Sequence, residues 1–211
     1  MQSRGARASH RTMLTRQRSN LLVLLRSSLL PLLPFLLALL LSSSGCGTVS
    51  PPASVVLHAP VFTSRDGILH YRLPAGWFDV TADSQATGKA VWLIRNDYAA
   101  SLTVREMYVD SAAREELHRQ GLTSIARMTA RLEAGSKAGV VVHQPESLKM
   151  NGTPACVYDI ADGAGDTMRT ILFDTGDRLY AVALLLNAGT GAPTAEEAYG
   201  VQKSFAEALR W

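Results

Sequence analysis

Residues 181–186 read Ala-Val-Ala-Leu-Leu-Leu, apolar at every position. Neighbouring side chains of a strand point to opposite faces, so such a run has to be covered on both sides and belongs at the centre of a sheet. Thr175-Gly176-Asp177 before it and the Gly/Pro-containing stretch 187–193 after it bound the run as turns bound a strand. The rest of the chain therefore has to supply flanking strands and helices that cap both faces.

The flanking strands are readable. Residues 140–150 meet 153–161 across Asn151-Gly152, the dipeptide that best fits a two-residue hairpin turn. Pro145 has no N–H to give to a ladder and marks an edge or a bulge. Cys156, Tyr158 and Ile160 share one face of the second strand, which predicts a buried thiol. Asp162-Gly163-Ala164-Gly165-Asp166 leads into a strand over 167–174, and 178–186 completes a four-strand meander. Upstream, Leu69, Tyr71 and Leu73 alternate with His70 and Arg72, a half-buried strand over 68–73. A short extended piece over 78–81 follows. Strands over 89–95 and 101–109 come next, with Val91 and Leu93 opposing Trp92 and Ile94.

Asp110 or Ser111 caps a helix expected to run to about residue 134, with Leu117, Leu122, Ile125, Met128 or Thr129, and Leu132 as its apolar stripe. Gly121 interrupts this helix. Thr194-Ala195-Glu196-Glu197 is a capping box opening a last helix, whose inward stripe is Ala198, Val201, Phe205 and Ala208 or Leu209. The order βββαββββα makes this an α+β protein: an antiparallel sheet of six to seven strands flanked by two helices.

The N-terminal segment is of another kind. Residues 1–20 are polar and Arg-rich, and the uninterrupted apolar part, 29–41, has 13 residues. As a helix that is about 20 Å, short of the roughly 30 Å hydrocarbon core of a bilayer. It suits the apolar region of a signal peptide. Ser44, Gly45 and Cys46 then resemble the lipobox of bacterial lipoproteins, with Ser43 in place of the usual Leu. The resemblance implies cleavage after Gly45, a diacylglyceryl group and an acylated amine on Cys46, and stable attachment to a membrane. Gly47, rather than Asp, implies the periplasmic face of the outer membrane if the host is Gram-negative. Residues 1–45 are thus read as signal, 46–60 as tether and 61–211 as a single domain.

The sequence pI near 9.0 invites a nucleic-acid reading. Six of the 21 basic residues precede Cys46, however, and all 18 acids follow it, so the mature part is acidic by three. No Lys/Arg stripe remains to neutralise phosphates, and nucleic acid is not an expected partner.

Tyr71-Arg72-Leu73-Pro74-Ala75-Gly76-Trp77, the hairpin Asn151-Gly152-Thr153-Pro154-Ala155, and Leu179–Leu184 with Ser204-Phe205 resemble, in that order, the opening, central hairpin and close of the PsbP/DcrB-like superfamily. The resemblance covers roughly 61–211. It implies an α/β/α sandwich and an accessory role; no photosynthetic task is carried over, because no residue here specifies one.

Phe173-Asp174-Thr175-Gly176 is similar to the loop of aspartic proteases, which need two such carboxylates, so Asp174 would act only in a dimer. A hairpin turn explains the same residues. Asp162 and Asp166 are weighed against a cation loop and lack its ligand count. No spacing of His and Cys suggests a metal, and no cofactor is expected. The expectation is a non-enzymatic, membrane-anchored envelope lipoprotein that touches another envelope protein. The alternative is a small-ligand-binding lipoprotein, with Trp77, Trp92 and Tyr98, together with Tyr108, as the ligand or partner surface.

Overall fold

A computed structural model describes residues 55–187 and 193–211. Cys46, the leader, most of the tether and the greater part of the loop at 187–193 lie outside the described residues. All that is described falls in one unit, Pro51–Trp211.

Seven strands form one antiparallel sheet in the order β3-β4-β5-β9-β8-β7-β6. These are β3 (Trp77–Asp79), β4 (Val91–Arg95), β5 (Ala100–Met107), β6 (Val140–Met150), β7 (Thr153–Ala161), β8 (Thr167–Asp174) and β9 (Leu179–Leu186). β9, the doubly apolar strand, is the fourth of the seven. Val182 and Leu184 join a core on one side, while Ala181 and Ala183 join a second core on the other. The Asn151-Gly152 turn has φ of 52° and 84°, both positive as a type I′ turn requires. β6 is an edge strand, and its ladder shifts register between His143 and Glu146, around Pro145.

The strand expected over 68–73 is not part of this sheet. Only His70–Tyr71 (β2) pairs, with Phe62–Thr63 (β1), in a separate two-stranded ribbon. The backbone of His70 is also bonded in both directions to Arg210, at 2.8 and 3.0 Å. Pro74 and Gly76 (φ 79°) then turn the chain, so the place beside β4 is taken by Trp77–Asp79 instead. Alternation correctly gave Leu69 and Tyr71 to the core; it carries no information about which strand is the neighbour.

Among the described residues three helices, not two, cover the sheet: α1 (Ser111–Gln120), α2 (Leu122–Ser136) and α3 (Ala195–Ala208). Gly121, at φ 77° and ψ 177°, separates the first two. That conformation is open essentially to glycine alone, and it reorients the chain. Of the apolar stripe expected for one continuous helix, Leu117, Ile125 and Thr129 are buried, whereas Met128 and Leu132 are 48% and 67% exposed. Inside lie Ile125, Ala126, Thr129, Ala130 and Ala134, mostly small side chains that let α2 lie close on β6 and β7. Nothing lies within 4 Å of a Cβ built at Gly121, so the cost of Gly121→Ala is purely backbone. We expect a loss of about 1–3 kcal/mol, read as a lower urea midpoint. An unchanged midpoint would mean the helix break is not required.

α3 opens with the capping box: Thr194 Oγ1 accepts from Glu197 N and Glu197 Oε2 from Thr194 N, at 3.2 and 3.1 Å. Its Ala198, Phe205 and Ala206 close the first core against Leu93, Leu102, Val182 and Phe173. Cys156 is buried in the second core as a free thiol, and burial pushes its ionisation upward.

Several phenols are buried with carboxylates. Tyr158 donates to Glu133 Oε2 (2.7 Å), and Tyr71 donates to Asp79. Burial first, then the adjacent carboxylate, raises both phenols above their ordinary value of 10.0. The folded state thus keeps protons that the unfolded chain releases above pH about 10, so stability is present below that value and falls as pH rises past it. Tyr158→Phe should flatten this fall between about pH 9 and pH 11. Urea midpoints across that range check it; an equal slope in both proteins refutes it.

Candidate functional site

The aromatic residues singled out in the sequence do not share a side. Trp77 pairs with Arg95 and Trp92 with Thr103, which places them on opposite faces of the sheet. Trp77 is core, 8% exposed. Trp92 sits on the other side with Phe78 and Ile94, all three half-buried on β3 and β4. The Lys89 ammonium lies 3.9 Å from the Trp92 ring centroid. Tyr98, 68% exposed at the β4–β5 turn with φ 61°, meets Phe78 edge-on at 5.8 Å. Tyr108 stands apart, almost wholly exposed. The outcome is a patch of Phe78, Trp92, Ile94 and Tyr98. Phe78 was missed, although its alternation with Trp77 marked it as facing the other way.

Asp174 is a turn residue with an ion pair. It accepts from Gly176 N at 3.0 Å and pairs with Arg114 at 3.3 Å, and Arg114 also donates to Asp177 O. These bonds tie the β8–β9 hairpin to α1. Asp162 Oδ1 accepts from the backbone of Ala164 and Asp166, so that loop uses its acid as a turn cap. Among the described residues no three His, Cys, Asp or Glu side chains cluster as a metal would need.

A cleft of about 370 Å³ lies on the α3 side of the sheet. Leu148, Val157 and Ile171 of β6 to β8 form one wall, and Tyr199, Gly200 and Lys203 of α3 the other. Its depth has an electrostatic frame. Arg169 makes a two-pronged bond to Asp159, at 2.7 and 2.8 Å, and its guanidinium lies 3.6 Å from the Tyr199 ring centroid. Gln202, also on the wall, is fully buried; its Nε2 donates to Arg169 O and Val182 O, both at 2.9 Å, and its Oε1 has no partner among the described residues. Leaving such an acceptor unmet costs about 1–3 kcal/mol. Gly200 lies inside α3, where glycine is worth about 0.5–1 kcal/mol less than Ala. A Cβ there would meet nothing within 4 Å. Sequence reading missed this cleft, because it exists only once α3 lies across β9 and leaves β6 and β7 partly open. The glycine in an otherwise regular helix was its one visible sign.

No family model and no curated protein sequence matches the chain. Cyanobacterial PsbP (CyanoP) from Synechocystis sp. superposes with a TM-score of 0.53 at 12% identity, over 80% of this chain and 98% of its own. The fold is PsbP-like. The Saccharomyces cerevisiae Ran-binding protein Mog1p aligns with a TM-score of 0.46 and 10% identity, over 74% of this chain and 96% of its own. At such identity a PsbP-like fold speaks for topology, not for task. The aromatic patch and the α3 cleft are therefore read from this chain's own residues.

Proposed function

We propose that the chain is a membrane-anchored accessory module of a bacterial cell envelope, working by contact with another envelope protein rather than by catalysis. Acyl chains on Cys46 attach it, and the residues after Cys46 tether the PsbP-like domain near the lipid surface. The acid surplus of the mature part suits a protein or peptide partner better than nucleic acid. In a Gram-negative host it faces the periplasm from the outer membrane.

The observation that carries the contact reading is the patch of Phe78, Trp92, Ile94 and Tyr98. Aromatic side chains grouped on a flat, half-open sheet face are what protein interfaces use as anchors. The test is a photo-crosslinking residue at position 94 of the full-length chain, in living cells, with a second at the exposed position 131 as control. A discrete adduct from position 94 that Trp92→Asp abolishes supports the reading. Equal, diffuse adducts from both positions refute it.

No helix among the described residues is long and apolar enough to cross a membrane. Attachment in this proposal falls to the N-terminal segment alone.

A further inference from the structure

At the end where the described chain begins, Leu57 and Val61 share a hollow of about 230 Å³ with His70, Arg72 and Arg210. Backbone pairing builds it. His70 lies opposite Thr63 of β1 and opposite Arg210 beyond α3, and residues opposite one another in a ladder point to the same side. Arg72, two positions on, points that way too. Tyr71 between them is buried, so two guanidiniums and an imidazole gather on one outer face.

No carboxylate answers them. Six other arginines of the domain are each paired with an acid. Among the described residues neither Arg72 nor Arg210 is, and no Asp or Glu lines the hollow. The acids nearest in the chain are engaged elsewhere. Asp66 accepts from Ser64 and from Ile68 N, Asp79 accepts from Tyr71 and from Thr81 N, and Glu207 lies on the wall of the α3 cleft. Arg210 Nη1 donates to Glu207 O and Leu209 O at 2.9 and 2.7 Å, which holds the guanidinium in place without neutralising it. His70 Nδ1 lies 3.3 Å from Thr63 Oγ1. In a chain acidic by three from Cys46 onward, this is a local surplus of cation suited to an anion.

Planar guanidiniums recognise phosphate through two N–H groups at once. The surroundings decide which phosphate. Val61 in the hollow, Val56 before Leu57 and Trp211 after Arg210 are exposed apolar side chains beside the cations. Such a mixture is what rests on lipid headgroups. Cys46 and Leu57 are eleven positions apart, at most about 40 Å of extended chain. We infer that the hollow seats the phosphate of an anionic phospholipid, Arg72 and Arg210 donating to its oxygens and Val61 reaching toward acyl carbon. This end of the domain then lies on the bilayer. The placement rests on the membrane-anchored reading and gives it an orientation.

The test uses the full-length chain in phosphatidylcholine nanodiscs that hold a dilute fraction of phosphatidylglycerol. A photo-crosslinking residue stands at position 61 or, as control, at the exposed position 131. Intact mass after irradiation reads the lipid adduct. The expected result is a phosphatidylglycerol adduct from position 61 and none from 131. Each surface cation contributes about fivefold to binding an anionic lipid surface, so Arg72→Gln with Arg210→Gln should lower the adduct roughly twenty-five-fold. Arg72→Lys with Arg210→Lys should keep most of it. The pairing of His70 with Arg210 is through backbone and survives these changes. Soluble short-chain phosphatidylglycerol should compete far better than inorganic phosphate; equal competition would reassign the hollow to a free ion and overturn the inference. Equal adducts from positions 61 and 131 would overturn it as well. A chain that leaves the discs defeats this inference and the anchored reading together. A chain that stays, with a position-61 adduct absent or indifferent to both arginines, defeats this inference alone.

Discussion

Replacing Cys46 with Ser is expected to abolish both lipid attachment and processing, an all-or-none change rather than a graded one. The thioether needs a sulfur, and the signal is cut only once that sulfur carries its diacylglyceryl group, so the variant should keep residues 1–45. On the lipoprotein reading, two or more acyl chains would bury enough methylene to hold the parent protein durably, at about 0.8 kcal/mol per methylene, where one chain is marginal. Intact-mass measurement separates the cases. The parent should begin at Cys46 with added acyl mass, and the variant should show the full 211 residues with none. A parent protein that retains its leader would end the lipoprotein reading, because the apolar stretch would then be the anchor.

The second large effect is on stability. Phe205→Ala should cost about 3–5 kcal/mol, the range for emptying a fully buried aromatic site. Phe205 has no exposed surface, and its ring lies 6.0 Å from that of Tyr71. Tyr71 in turn stacks on Phe62 and donates to Asp79, so one side chain joins α3, the β1–β2 ribbon and the start of β3. For a domain of this size the loss corresponds to a melting temperature lower by roughly 10 °C. Phe205→Leu, which keeps most of the volume, should lose under half as much. A loss below about 1 kcal/mol for the Ala variant would mean that α3 is not a structural support of the sheet.

What the sequence disclosed is what local chemistry and period dictate. Asn151-Gly152 forces positive φ at two positions, and the chain reverses there. A run apolar on both faces has to be central, and β9 is. Thr194 and Glu197 satisfy each other's backbone, and α3 starts there. The errors arise where non-local pairing decides. Residues 68–73 alternate as a sheet strand does, yet their partners are Phe62, Thr63 and Arg210, which no spacing rule identifies. The stripe ending at Leu132 found Leu117, Ile125 and Thr129, but favoured large side chains, and the inner face of α2 is completed by Ala126, Ala130 and Ala134 instead. Trp77 and Trp92 were grouped because both are tryptophans at a sheet end. The parity of their register separates them. The cleft was invisible for the same reason, since its two walls are distant in the chain and meet only by docking.

The strand in the middle of the sheet is also the last one to be made. β5 and β8 both lean on β9, and neither half of the sheet is complete until the chain is nearly finished. Until β9 is made, β5 and β8 each end at an open ladder, so the two halves of the sheet cannot join earlier, although α2 already covers β7 and β8. A polypeptide fed head-first through a narrow pore would therefore join the two halves of its sheet only as its last strand emerged.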